Sequence, residues 1–240
     1  MTGSRDAGRN LPVQRRPTAP AVTTGVYEGA ATDDVFRRAA SIGHLLSPAT
    51  TAALLPEGCG IALSVVTVDT ATDTYPIDGG RLGLGKVALE KIATALGVSW
   101  DPVLSGRMDD GRDPRYCRWK AVGHFRAFDG SILTRPGEKE VDLRDGSPQI
   151  QGILRQCTAR ARKDAAKDRR TLSDADAERI GAERAENQIM AARLHIQSLA
   201  ESKARLRAIR SCGIRASYSA EELARPFFVA RVTWTGRTDD

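Results

Sequence analysis

A chain of 240 residues with 41% hydrophobic content is long enough for one sizeable core with appendages. Its 36 Lys and Arg against 30 Asp and Glu leave a net charge of +6 and a pI near 9.4, a balance that favours a polyanionic partner. No stretch approaches the roughly 20 apolar residues of a membrane span, no secretory signal is read at the N-terminus, and Cys59, Cys117, Cys157 and Cys212 stand too far apart for a zinc knuckle or a legible disulfide framework. A cytoplasmic protein with reduced thiols and no membrane partner is the expectation.

Residues 1–30 mix Pro, Gly, Thr and Arg without hydrophobic period and read as a disordered basic arm. Asp33 and Asp34 then precede Val35, Phe36, Ala39, Ile42 and Leu46 at helical spacing, with Pro48 as a stop. The β-branched run from Ile61 to Val68 predicts a buried strand. Leu82, Leu84, Val87, Leu89, Ile92, Ala93 and Leu96 predict a helix that Gly97 ends. Tyr116 to Phe128 alternates as a strand, Asp129-Gly130 is a hairpin turn into Ile132 and Leu133, and Glu138 to Leu143 follows the Pro136-Gly137 turn as the third strand of a meander. Ser147-Pro148 opens a helix to about 170, and Ser173 caps a long one over 174–211 that Gly213 stops. Phe227 to Trp234 is a last strand before a frayed tail. The fold class that results is α+β: a small antiparallel β-meander packed against helices, with a long charged C-terminal helical segment. The core spans 31–225, and 226–240 form a terminal strand and tail.

Sites for catalysis find little support. Gly80, Gly85 and Lys86 fit G-x-x-x-x-G-K, but Val87 stands where a phosphate loop has Ser or Thr for magnesium. Gly83, Gly85 and Ala88 match a relaxed dinucleotide fingerprint inside the predicted helix. His44, His124 and His195 stand apart from other metal ligands, and Asp109-Asp110-Gly111 reads as turn chemistry. Neither a catalytic role nor a cofactor is expected.

Charge is clustered instead. Lys203 to Arg215 holds five basic residues and no acid. Projected at about 100° per residue from Lys203, Ile196 falls near 20°, Leu199 near −40°, Arg207 near 40° and Arg210 near −20°. A face that is apolar upstream therefore turns basic over the last two turns, with cations spaced to follow consecutive phosphates. The alternative is that these side chains pair with Glu201, Glu221 or Glu222, or lay their stems over the sheet while their heads reach water. A second cluster, Arg115, Arg118, Lys120 and Arg126, interleaves with Tyr116, Trp119 and Phe125, as cations for phosphates and aromatic faces for bases would. Strand alternation puts Arg118, Lys120 and Arg126 on the face opposite Trp119 and Phe125.

The order core helix, meander, long helix, together with the run Arg207-Ala208-Ile209-Arg210-Ser211 and then Gly213, resembles the single-strand annealing proteins of phage recombination, the RecT, Red-beta and Erf groups, and the Rad-type eukaryotic annealing proteins. The resemblance implies that Arg207 and Arg210 contact the DNA backbone. Leu206 stands where the family pattern has a further basic residue just before Arg207, so the resemblance does not imply a contact at that position. The resemblance further implies ATP-independent binding of single-stranded DNA and annealing of complementary strands by a homo-oligomeric ring or helical filament, with no metal. A partner exonuclease or a host single-strand-binding protein would accompany it. The alternatives are a non-enzymatic oligomeric scaffold or phage assembly protein, and a nucleotide-dependent enzyme built on Gly80–Lys86.

Overall fold

The computed structural model describes residues 25–27, 31–47, 55–127 and 129–236. The predicted N-terminal arm, Pro48 and Phe128 lie outside the described residues, apart from β1 (Gly25–Tyr27). Helix α1 (Ala31–Ile42) carries Asp33 and Asp34 in its first turn, where the helix dipole favours them. It ends earlier than the periodicity predicts. A side chain at Gly43 would strike the Pro226 carbonyl and the Phe228 ring, so the chain turns there into β2 (His44–Leu46). Strand β3 (Cys59–Val66) buries Ile61 and Leu63 completely.

The stretch read as one helix from Leu82 divides in two. Strands β4 (Thr74–Ile77) and β5 (Arg81–Leu84) form a hairpin, and only then does α2 (Lys86–Leu96) begin, ending as expected on left-handed Gly97. Leu82 exchanges backbone hydrogen bonds with Tyr218 at 2.8 and 2.9 Å, a pairing 136 residues away that local periodicity cannot announce. Buried Asp73 ties the hairpin to α2 through Lys91 at 2.7 Å.

Two short strands, β6 (Ser99–Trp100) and β7 (Gly106–Arg107), lie one after the other along one edge of β8 (Tyr116–Arg126), whose other edge pairs along its whole length with β9 (Ile132–Asp142) around the Asp129-Gly130 turn. The predicted meander is therefore a long hairpin: Pro136-Gly137 makes no turn, and 138–142 continue the same strand. Because β9 pairs only with β8 among the described residues, its outer edge tolerates a residue without N–H.

Ser147 and Ser173 cap α3 (Pro148–Lys167) and α4 (Asp174–Leu194) through side-chain bonds to the third residue of each helix. The two helices form a hairpin sealed by Cys157, Ala161 and Ala165 against Ala177, Gly181, Ala185 and Ile189. The helix predicted over 174–211 breaks at His195, whose φ of −122° is not helical, and resumes as α5 (Ile196–Arg210). The break has a tertiary cause: α4 packs on α3, α5 packs on the β8–β9 hairpin, and one straight rod cannot serve both.

After the short helix α6 (Ala220–Leu223), with its Ser219/Glu222 capping box, β10 (Phe227–Trp234) enters the middle of a sheet of order β1-β3-β10-β2, antiparallel to β3 and parallel to β2. It belongs to the core, since Phe227 to Ala230 are all buried. Phe228 and Ala230 cluster with Ala39 on the α1 side, while Phe227 and Val229 cluster with Leu89 and Ile92 on the α2 side. Mixed helices and antiparallel-rich sheets make the chain α+β. No helix among the described residues is long and apolar enough to cross a membrane.

Candidate nucleic-acid interface

Helix α5 meets the long hairpin through its smallest residues. Ala200, Ala204 and Ala208, spaced by four, are 0%, 0% and 1% exposed. A side chain on Gly137 of β9 would fall on the Ala204 carbonyl and the Ala208 nitrogen, so the two backbones approach as closely as they can. The sheet-facing surface is thus alanine to the end, and the cations flank it. This corrects the projection, in which they take over the packed face.

Lys203, Arg207 and Arg210 line a groove of about 460 Å³ between α5, β9 and the end of the β4–β5 hairpin. Lys86 from the first turn of α2 and Lys139 from β9 join them, and none of the residues lining the groove is acidic. Of the three carboxylates that could have neutralised these cations, Glu201 and Glu222 are engaged elsewhere, and Glu221 forms no ion pair with them among the described residues. Glu201 holds Arg205, and Glu222 holds Arg215 at 2.8 Å with Arg81 at 3.7 Å. Lys86 reaches Glu90 at 3.7 Å, an exposed pair of little energetic weight. Arg207 Nη1 donates to the Glu138 carbonyl at 2.6 Å, and Arg210 Nη2 donates to Leu84 O and Tyr75 Oη, both at 3.0 Å. These neutral acceptors fix the guanidinium planes and leave their charge uncompensated. The consequence shows at Lys139: burial first, and then Arg207 and Lys203, lower its affinity for its proton below the ordinary lysine value. A cluster of like charges held this close is stabilised by an anion.

The groove also carries an aromatic ring. Tyr75 stands opposite Gly83 in the β4–β5 register, and a Cβ there would lie 2.5 Å from Tyr75 Cζ, so the ring rests on bare backbone. Arg210 lies 6.0 Å from the ring centroid, and Tyr75 remains 41% exposed.

The second predicted cluster is elsewhere. Cys117, Ala121 and Phe125 of β8 are buried, whereas Arg118, Lys120 and Arg126 alternate onto the face turned away from α5. Arg118 is held by Glu138 at 2.8 Å, Arg115 by Asp113 and Asp145 at 3.2 Å each, and Arg126 by the Gly130 carbonyl. Tyr116 lies beneath the Arg144 guanidinium, 4.6 Å from its ring centroid. Of the sequence-predicted residues, the structure brings together Lys203, Arg207 and Arg210, and it adds Lys86, Lys139 and Tyr75. Sequence reasoning named Lys86 only in the phosphate-loop match and missed Lys139 and Tyr75, because the three are single residues on three elements; only the Tyr75–Gly83 pairing leaves a trace, a glycine inside a strand.

The remaining candidates have structural explanations. Residues 81–84 are extended strand, so no loop wraps from Gly80 to Lys86 in the manner of a phosphate loop, and Gly83 and Gly85 are not inside a helix. Half-buried His44 stacks on Phe227 and bonds the Glu222 carbonyl, and half-buried His124 contacts Asp101 at 2.9 Å and Thr134 at 3.1 Å. Asp109 accepts from Gly111 and Arg118 nitrogens and pairs with Arg107, closing a turn. All four cysteines are free, and burial pushes the Cys212 thiol up to about 11. Among the described residues no three His, Cys, Asp or Glu side chains converge as metal ligands. Comparison with protein-family models, curated proteins and solved structures found no match to this chain.

Proposed function

We propose that the groove beside α5 binds single-stranded DNA and that the protein anneals complementary strands without ATP, acting as a homo-oligomer. The observation that carries this reading is the set of five cations, Lys86, Lys139, Lys203, Arg207 and Arg210, converging from three elements on a groove lined by no carboxylate. Ion pairs that serve only stability bring their counter-charges with them; of these five only Lys86 has one among the described residues, the exposed Glu90 at 3.7 Å outside the groove lining. Phosphates would lie along α5, whose Lys203, Arg207 and Arg210 rise about 10 Å over seven residues, roughly the span of two phosphates. Tyr75 offers one base a stacking surface, and bases facing outward stay free to pair. The location in the bacterial cytoplasm and the recombination context belong to the same proposal, as do a partner exonuclease and a host single-strand-binding protein.

The test is fluorescence anisotropy of a labelled oligonucleotide over a salt series, with strand annealing followed by resonance energy transfer without nucleotide. Binding that tightens as salt falls, with annealing faster than the spontaneous rate, is the expected result. Affinity that is absent at low salt, or indifferent to salt, refutes the proposal and leaves an oligomeric scaffold as the better reading. A thermal shift with ATP would favour a nucleotide-dependent enzyme.

A further inference from the structure

The helical hairpin of α3 and α4 projects charge that the groove does not explain. Its inner seam is small and apolar, and two ion pairs cross it: Arg162–Asp174 at 2.8 Å and Arg184–Asp164 at 2.9 Å. Outside that seam the two helices differ in sign. Projected at about 100° per residue from buried Ala161, Arg160, Lys163 and Lys167 fall between about −100° and −160°, on one outward stripe of α3. All three are exposed, and none has an ion-pair partner among the described residues. Projected in the same way from buried Ala185, Glu183, Glu186, Met190 and Leu194 fall between about 100° and 180° on α4. Both glutamates are exposed and lack an ion-pair partner among the described residues, while Met190 is 58% and Leu194 81% exposed. Arg179, on the same side of α4, is taken by Asp176 at 3.6 Å.

We infer that these two stripes are the two halves of one contact, the basic stripe of α3 in one copy docking on the acidic and apolar stripe of α4 in the next. The charges are opposite, and both stripes repeat at three and four residues, the spacing at which helix faces interdigitate. The basic stripe rises about 10 Å and the acidic and apolar one about 16 Å, so the first fits within the second. Lysine and arginine stems laid over Met190 and Leu194 would cover methylene and methyl groups that now face water, with their heads reaching Glu183 and Glu186. Because the halves lie on different faces, the contact is head-to-tail and propagates into a closed ring or an open filament instead of stopping at a two-fold dimer. The partner is a second copy of this chain. This surface stands whether or not the groove binds DNA, since assembly is measured without nucleic acid.

The experiment uses the full chain in light scattering coupled to size exclusion, at about 50 mM and about 500 mM salt, where screening of exposed charges differs strongly. One variant carries Glu183→Lys and Glu186→Lys; the other carries Arg160→Glu, Lys163→Glu and Lys167→Glu. All five positions are exposed, and circular dichroism checks the fold. If either variant misfolds, Glu183→Gln with Glu186→Gln and Arg160→Gln with Lys163→Gln and Lys167→Gln take their place, each expected to weaken assembly. Wild type is expected to show at low salt at least twice the 25.9 kDa mass of one chain and to lose mass as salt rises. Each reversed variant alone should run as a single chain, and an equimolar mixture of the two should recover assembly, because every contact in the mixture again joins unlike charges. Wild type that stays at single-chain mass, a variant that assembles as wild type does, or a mixture that fails to recover overturns the inference. So does an α3 variant that keeps its assembly and loses oligonucleotide affinity, which would assign the basic stripe to nucleic acid.

Discussion

Replacing Arg207 and Arg210 together by alanine removes two of the five cations in the groove. Counterion release from a single strand contributes about 0.7 to the logarithmic salt slope per neutralised phosphate. If each cation meets one phosphate, the wild-type slope is at most about 3.5 and that of the double variant about 2.1. Between about 50 and 200 mM salt, wild type should lose roughly 130-fold in affinity and the double variant roughly 20-fold. The assay is anisotropy at five or more salt concentrations with an oligonucleotide short enough to hold one protein. Arg118→Ala serves as control, because it lies on the far face of the sheet and is already held by Glu138; it should leave the slope unchanged. Both arginines also donate to backbone carbonyls, Glu138 O and Leu84 O, so the variant must be shown to be folded before its slope is read. A folded double variant with the wild-type slope, or an Arg118→Ala variant that flattens it, would refute the placement of the phosphates along α5.

Other consequences follow from single contacts. Tyr75→Ala should weaken binding by about 1–3 kcal/mol if one base stacks there, while Tyr75→Trp keeps most of the affinity and its fluorescence is quenched by the oligonucleotide. Gly137→Ala would press a methyl group onto the α5 backbone at Ala204 and Ala208 and should destabilise the fold by about 1–3 kcal/mol in urea denaturation, where neutrality would deny the close approach. Asp73→Ala strands Lys91 and removes the acceptor that fixes the β4–β5 hairpin on α2; a loss of about 1.5–3 kcal/mol is expected from its charge-assisted bonds. At Glu222, the Ser219 backbone N–H and then Arg215 hold the carboxyl at about 2, below its ordinary value. The depressed value means that its contribution to stability is complete above the unfolded-state pKa and is lost as pH falls toward about 2. The difference in Tm between wild type and Glu222→Gln should therefore be constant near neutrality and close on acidification; a gap that widens in acid would contradict this.

Much of the local structure is legible in residues a few positions apart. Ser147 and Ser173 open helices, Gly97 closes one, Asp129-Gly130 turns the hairpin, and alternation along 116–126 predicts a strand with Arg118 and Trp119 on opposite faces. Each of these depends on a side chain meeting backbone within one turn of itself, which the sequence specifies directly. The basic end of α5 is legible for the same reason, since the spacing of Lys203, Arg207 and Arg210 along one helix requires no knowledge of its neighbours. What faces that end is not legible. Leu82 becomes strand because Tyr218 pairs with it, and Gly137 becomes mid-strand because α5 lies on it. The helix breaks at His195, without glycine or proline, because its two halves dock on different partners. Lys86, Lys139 and Tyr75 reach Arg207 and Arg210 only through those dockings. The sequence alone determined the cations of α5 and the helix that spaces them; the tertiary structure decided that they share a groove without counter-charge, because such a groove is a relation among three elements and no local rule encodes it.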